Sequence, residues 1–348
     1  MTSLSVQQKI VSIAHALNLK GDPVEAIMEY CRKRVGRILK TARSVRTPWD
    51  LERAVCEELN LVIHDVSNDE EIDRFIHLYA IEENDPAFAA LRLELADDAC
   101  GVLFRRKRLT ENGEYQYVAF IDCRGAKRLR RFFTRWHEIA HCLTSFQQYE
   151  MPFRRTTLTD IEKDPVEKLM DLIAGDLGFF EPLFQPVLNA EVTPGEPLTF
   201  EIVERIRSQF CPDASNQAVL AACAKRINEP IILIEAIVGL KKTEQRIIRQ
   251  FPEAARTIQP QLRVRWSVPN SAAQDVSFQI PRYMRVPKES IITKVFLSEG
   301  DSNHFPGEAT ECLGWWTSSK GGALPITRIL VQAARYGNGV IAIITRQE

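Results

Sequence analysis

The chain has 348 residues, 45% of them hydrophobic, enough for two or three domains with ordinary buried cores. Its 45 Lys and Arg nearly cancel its 46 Asp and Glu. That balance excludes a global field able to recruit nucleic acid or acidic lipid, so any such binding must come from a local patch. The opening MTSLSVQQKIVSIAHALNLK lacks the charged lead and continuous apolar core of a signal peptide, and no later run has the length of a membrane span. A cytoplasmic protein with no membrane partner is expected. The cysteines, Cys31, Cys56, Cys100, Cys123, Cys142, Cys211, Cys223 and Cys312, have no CxxC spacing, which argues against a disulfide framework and against a cysteine-ligated zinc module.

Residues 5–18, 22–42 and 47–59 place apolar side chains at helical spacing, and the strand-like LNLVIHDV follows over about 59–66. EEIDRFIHLYAIEE and DPAFAALRLELA read as two more amphipathic helices. The period then switches to strand alternation at CGVLFRRK. Asn112-Gly113 lies between CGVLFRRKRL and YQYVAFID, the turn chemistry of a tight hairpin. A helix over about 126–146 follows. The next, about 164–179, opens on Asp164-Pro165, an N-cap followed by proline at the first helical position.

FQPVLNAEVTPGEPLT is rich in Pro and turn formers, which places a domain boundary near 183–198. TFEIVERIRSQF and SNQAVLAACAKRI read as two short helices joined at CPDA, the second capped by Ser215, in the manner of a helix-turn-helix. From LRVRWSV onward strand patterns dominate, ending in a hairpin around Gly337-Asn338-Gly339. The expectation is an α+β chain in three parts, 1–182, 183–258 and 259–348, the last of them β-rich.

The chemistry lies in RWHEIAHCL. Two histidines four apart on a helix differ by roughly 40° in direction, so His137 and His141 project together, and neutral imidazoles at that spacing can bind one Zn²⁺. Glu138 can reach a water at the same site as general base. A third ligand is needed. Glu167 begins the next helix and Asp171 follows it by four residues, giving a ligand and a second carboxylate on one face. Asp171 is suited to orient a ligand histidine, with His137 the expected partner. Such a site is hydrolytic: zinc acidifies water and stabilises an oxyanion, and Glu138 moves the proton.

HEIAH, the hairpin before it and EKLMDLIAGDLGFFEP after it resemble the ImmA/IrrE metallopeptidases over approximately residues 45–182. In that family the last ligand opens a helix of the form ExxA(D/N)xFA that ends near a proline; Glu167, Asp171, Ile173, Ala174 and Pro182 stand in matching places, with Met170 in place of alanine. The family lead-in RFTxAHExxH is here RFFTRWHEIAH. Phe133 and Thr134 are in register, Arg131 is one residue early and Trp136 stands in place of alanine. The resemblance implies a zincin-like, gluzincin-type peptidase domain, a helix-turn-helix-like middle region and a GAF-like sensor domain at the C-terminus. It further implies cleavage of a helix-turn-helix repressor, which induces a damage-response, mobile-element or defence operon. Size and layout are similar to those of members associated with CBASS anti-phage systems.

Other residues carry weaker expectations. Cys100 begins the hairpin strand beside the cleft, where a thiolate on zinc would block the open position; the alternative is a small buried hydrophobe. Arg105, Arg106, Lys107 and Arg108, with Arg128, Arg130, Arg131 and Arg135, concentrate positive charge on the flanking segments. They point to single-stranded DNA as an activator, or to a solvated face paired with local acids. SNQAVLAACAKRI offers only Lys225 and Arg226, late in its helix, which argues against DNA reading. Trp315, Trp316 and His304 suit a ligand pocket or a core. The competing functional classes are a regulator or interaction module with a vestigial zinc site, disfavoured by an intact Glu138, and a zinc enzyme acting on another amide.

Overall fold

Helix α1 (Val6–Ala16) opens the chain, followed by α2 (Pro23–Thr41), capped by Asp22, and α3 (Pro48–Glu58), which starts in a capping box between Thr47 and Asp50. The structure is a computed structural model that describes residues 6–42, 44–96, 99–109, 115–144, 153–156, 164–193, 195–298, 307–317 and 322–347. Strand β1 (Leu61–Val66) comes next, then α4 (Asp69–Ile76), which widens into a π-helical turn over His77–Glu82. The helix expected over DPAFAALRLELA is instead a 3₁₀ turn (Pro86–Ala90) and a single α-turn, α5 (Leu91–Glu94). Asp85 accepts from the Ala87 N–H at 3.3 Å and Pro86 follows, while Phe88 and Leu91 are buried in the core.

β2 (Ala99–Leu109) and β3 (Tyr115–Asp122) pair antiparallel, as the hairpin reading requires, while the turn itself lies outside the described residues. β1 runs parallel to β3, and a four-residue strand, β4 (Phe153–Thr156), pairs antiparallel to the other side of β2, giving the order β1-β3-β2-β4. β4 has no alternation in its sequence and was not expected. One face of this sheet buries Val102, Phe104, Val118 and Phe120 against Ile72, Phe75, Tyr79, Phe88 and Leu91. A 3₁₀ turn (Gly125–Arg130) leads into α6 (Arg131–Thr144), which packs on the sheet and on α7 (Pro165–Leu177).

α8 (Glu181–Glu191), α9 (Phe200–Phe210) and α10 (Asn216–Arg226) follow, with the Ser215 hydroxyl accepting from the Ala218 N–H at 3.2 Å as expected of the cap. β5 (Ile231–Gly239), α11 (Lys242–Gln250), β6 (Gln261–Pro269), α12 (Ser271–Asp275), α13 (Ile291–Leu297), β7 (Gly307–Cys312), β8 (Arg328–Tyr336) and β9 (Gly339–Arg346) complete the chain. The five strands form an antiparallel sheet in the order β6-β5-β9-β8-β7. Its core includes Ile232, Ile234, Val264, Phe278, Ile292 and Trp316.

The molecule is thus α+β with two small sheets, and it divides into two units, Met1–Val187 with Ile206–Ala218, and Leu188–Arg205 with Val219–Glu348. The boundary expected at 258/259 falls inside the second unit. β5 pairs with both β6 and β9, so the apolar run IILIEAIVG belongs to the sheet and not to a helical middle region. No helix among the described residues is long and apolar enough to cross a membrane.

Candidate metal centre

The site is built by two helices of the first unit. α6 is amphipathic, and every residue from Trp136 to Thr144 is buried. α7 starts at a fixed point because the Asp164 carboxylate accepts from the Val166 N–H at 2.9 Å and Pro165 takes the first helical position. Glu167 therefore stands in the first turn of α7 and Asp171 one turn later on the same face.

These helices bring His137, His141 and Glu167 together, with one potential ligand atom from each lying within 4.8 Å of the others. His137 Nε2 is 3.1 Å from Glu167 Oε2, and His141 Nε2 is 3.2 Å from His137 Nε2 and 3.4 Å from Glu167 Oε1. Behind the cluster, His137 Nδ1 lies 2.9 Å from Asp171 Oδ1. A carboxylate can only accept, so the Nδ1 of neutral His137 carries the proton and its Nε2 presents a lone pair.

That tautomer turns the Nε2 lone pair toward the other two donors. The Nε2 lone pair of His137 faces a carboxylate oxygen at 3.1 Å, and two acceptors at that distance need a cation between them. Either a second proton on imidazole or a metal ion would serve. Burial is the largest influence on His141 and pushes its pKa below the ordinary histidine value, against the raising effect of Glu167, so a protonated imidazole is disfavoured there. Burial also pushes Glu167 up, but the neighbouring His137 and His141 outweigh this and hold the carboxyl far below the usual range, ionised at neutral pH. Two imidazole nitrogens and an ionised carboxylate are a donor set that fits a divalent metal ion.

Glu138, next along α6, is completely buried. Met170, where the family pattern has alanine, is buried and accepts from the Thr144 hydroxyl through its Sδ at 3.5 Å. Trp136 is buried as well, beside Gly178 just past the end of α7. Both departures from the pattern are absorbed as packing.

The remaining candidates do not join the cluster. Cys100 is buried, outside the converging ligand group, with its Sγ 3.9 Å from Arg130 Nη1. Arg106 is buried, donates to Gln116 at 2.7 Å and pairs with Glu83. Arg131 meets Asp65 at 2.6 Å and Asp213 at 3.6 Å; Arg135 meets Glu52 at 2.6 Å and Asp65 at 2.9 Å. Both guanidinium groups also lie over the Trp49 ring. Arg128 and Arg130 are exposed and Arg105 half-buried, while the side chains of Lys107 and Arg108 lie outside the described residues. Three of the eight cations, Arg106, Arg131 and Arg135, are therefore paired with acids of their own unit. In the second unit Trp316 is in the core and Trp315 is exposed, and His304 lies outside the described residues. Compared with protein-family models and with curated proteins, the chain matches none.

Proposed function

We propose that the chain is a zinc-dependent endopeptidase of the ImmA/IrrE kind, with a zincin-like first unit and a GAF-like sensor in the second. Its substrate on this reading is a helix-turn-helix transcriptional repressor, whose cleavage induces a stress or defence operon. The observation that carries the reading is the convergence of His137, His141 and Glu167 into one donor set, with Asp171 behind His137 and a buried Glu138 beside it on α6.

His137 and His141 would hold the ion through their Nε2 atoms and Glu167 through its carboxylate, leaving room for water. Zinc bound there supplies a Lewis acid that brings the pKa of a water down to about 7 and polarises a carbonyl. Asp171 accepts the Nδ1–H of His137, which fixes the tautomer and makes the ligand nitrogen more basic. Glu138 takes the proton of the attacking water onto its carboxylate and passes it to the departing amine. A purely structural site has no use for that carboxylate.

The test is cleavage of a helix-turn-helix protein, taken from a gene adjacent to this one where such a gene is found, by wild type and by Glu138→Gln, with bound zinc quantified and single-stranded DNA present or absent. Equal zinc with a loss of about 10²–10⁴-fold in rate for the variant supports the reading. An increase in rate with DNA would assign the activator to nucleic acid. Full zinc occupancy with no cutting by wild type in any arm would reject the peptidase reading.

A further inference from the structure

Strand β2 passes over α6 with glycine at the point of closest approach. A Cβ built on Gly101 would lie 2.8 Å from Glu138 Oε1 and 2.7 Å from Thr134 Cγ2, distances that real Cβ atoms essentially never show. The strand has little freedom to retreat, because Gly101 is paired on one side with Ile121 of β3 and on the other with Arg155 of β4. Nor can the carboxylate escape into water without leaving its place, since both oxygens of Glu138 are out of solvent. Gly101 is not among the glycines with positive φ, so the demand for glycine here comes from the space rather than from a left-handed backbone.

We infer that Gly101 is a positioning residue for the Glu138 carboxylate: the missing Cβ on β2 is the seat that sets where the general base lies relative to the metal ligands. This rests on the peptidase reading for its use in catalysis, while the seat itself is a matter of packing. His137, His141 and Glu167 are not among the three atoms nearest a Cβ at Gly101, which belong to Thr134 and Glu138, so filling the seat strikes the base ahead of the ligands.

Two neighbours would be struck by an added methyl, and they can be separated. Thr134→Ser removes Cγ2 and keeps the hydroxyl that donates to the Arg130 carbonyl at 2.9 Å. In Gly101→Ala/Thr134→Ser the only severe contact left is the one with Glu138. That double variant is expected to bind zinc one to one and to retain the wild-type KM. Its kcat is expected to fall by about a hundredfold, the loss typical of a catalytic group misplaced by roughly 1 Å. Thr134→Ser alone is expected to keep wild-type turnover. A second readout needs no activity. Gly101→Ala should lower the melting temperature of the zinc-loaded wild type, and should lower it less in a Glu138→Ala background, where the struck carboxylate is gone. Wild-type kcat in the double variant, or melting shifts that simply add, would overturn the seat. A wild-type protein that holds zinc and shows the non-additive melting shifts, yet cuts nothing, would keep the seat and reject the peptidase reading.

Discussion

Replacing Asp171 by Asn should weaken zinc binding while leaving every metal ligand in place. The Asp171 Oδ1 to His137 Nδ1 distance of 2.9 Å is that of a charge-assisted hydrogen bond, and the carboxylate side chain is only 21% exposed, so solvent screens it weakly. A bond of that kind contributes about 1.5–3 kcal/mol, and about 1.4 kcal/mol is a factor of ten in a dissociation constant. Asparagine is close in shape and can offer its carbonyl to the Nδ1–H, but it lacks the charge that raises the basicity of Nε2. It can also turn its amide to donate, which favours the wrong tautomer. The expected result is a zinc dissociation constant raised by roughly 10–100-fold, the range seen when such supporting carboxylates are removed. Competition against a chromophoric chelator at fixed pH measures it, and circular dichroism of the metal-free protein checks that the fold is kept. Unchanged affinity in Asp171→Asn would refute the role of Asp171, and with it the assignment of Nε2 as the metal-facing atom of His137.

Three further outcomes follow from the packing of each unit. Arg135→Ala strips the main partner from Glu52, whose side chain is 5% exposed, and should cost about 3–5 kcal/mol in a denaturant titration. Pairing it with Glu52→Leu should recover much of that, and a single-variant cost under about 1 kcal/mol would place the pair in the range of surface bridges instead. His64, with Nε2 2.7 Å from the Tyr79 hydroxyl and its ring stacked on Phe120 and tilted against Phe75, is pushed below the ordinary histidine value of 6.5 chiefly by burial. The unfolded chain then binds the proton that the folded one refuses, so stability falls as pH drops below 6.5, and His64→Phe should flatten that slope in melting curves taken across it. In the second unit, Asn270 donates to the carbonyls of Ala224, Ile227 and Glu229 and accepts from the N–H groups of Ile231 and Ala273. Asn270→Ala should destabilise that unit by about 3 kcal/mol or more with zinc stoichiometry untouched; a cost under about 1 kcal/mol would mean that water replaces the network.

The parts of the site legible in the sequence are those whose geometry is local. His137, Glu138 and His141 share one helix, Glu167 and Asp171 share the next, and a spacing of four residues dictates a common face whatever the rest of the chain does. The Asp164-Pro165 start was legible for the same reason: the cap bonds only its own first turn. β5 was obscured because a continuous apolar run, IILIEAIVG, carries no period by which strand and helix can be told apart. β4 was invisible because four residues are too few to show any pattern.

What was not legible is who meets whom across the fold, and this bears on the reading of Arg131 and Arg135. In sequence Arg131 and Arg135 sit among other cations, which suggests a patch; in space their acids come from Glu52 and Asp65, on α3 and β1, far back along the chain. A row of like charges in sequence therefore says little about the field outside the protein until each partner is known. Gly101 follows the same logic with the sign reversed. Nothing beside it in the sequence marks it, since a glycine in a strand pattern reads only as a weak point or a bulge. Its meaning comes from Glu138, which an i,i+4 argument places on the metal helix but cannot place against a strand. The proposed ligand set can be read from one dimension; the position of Glu138, the proposed general base, depends on a long-range contact, and the substitution of one hydrogen by a methyl at Gly101 is the smallest change that separates the two.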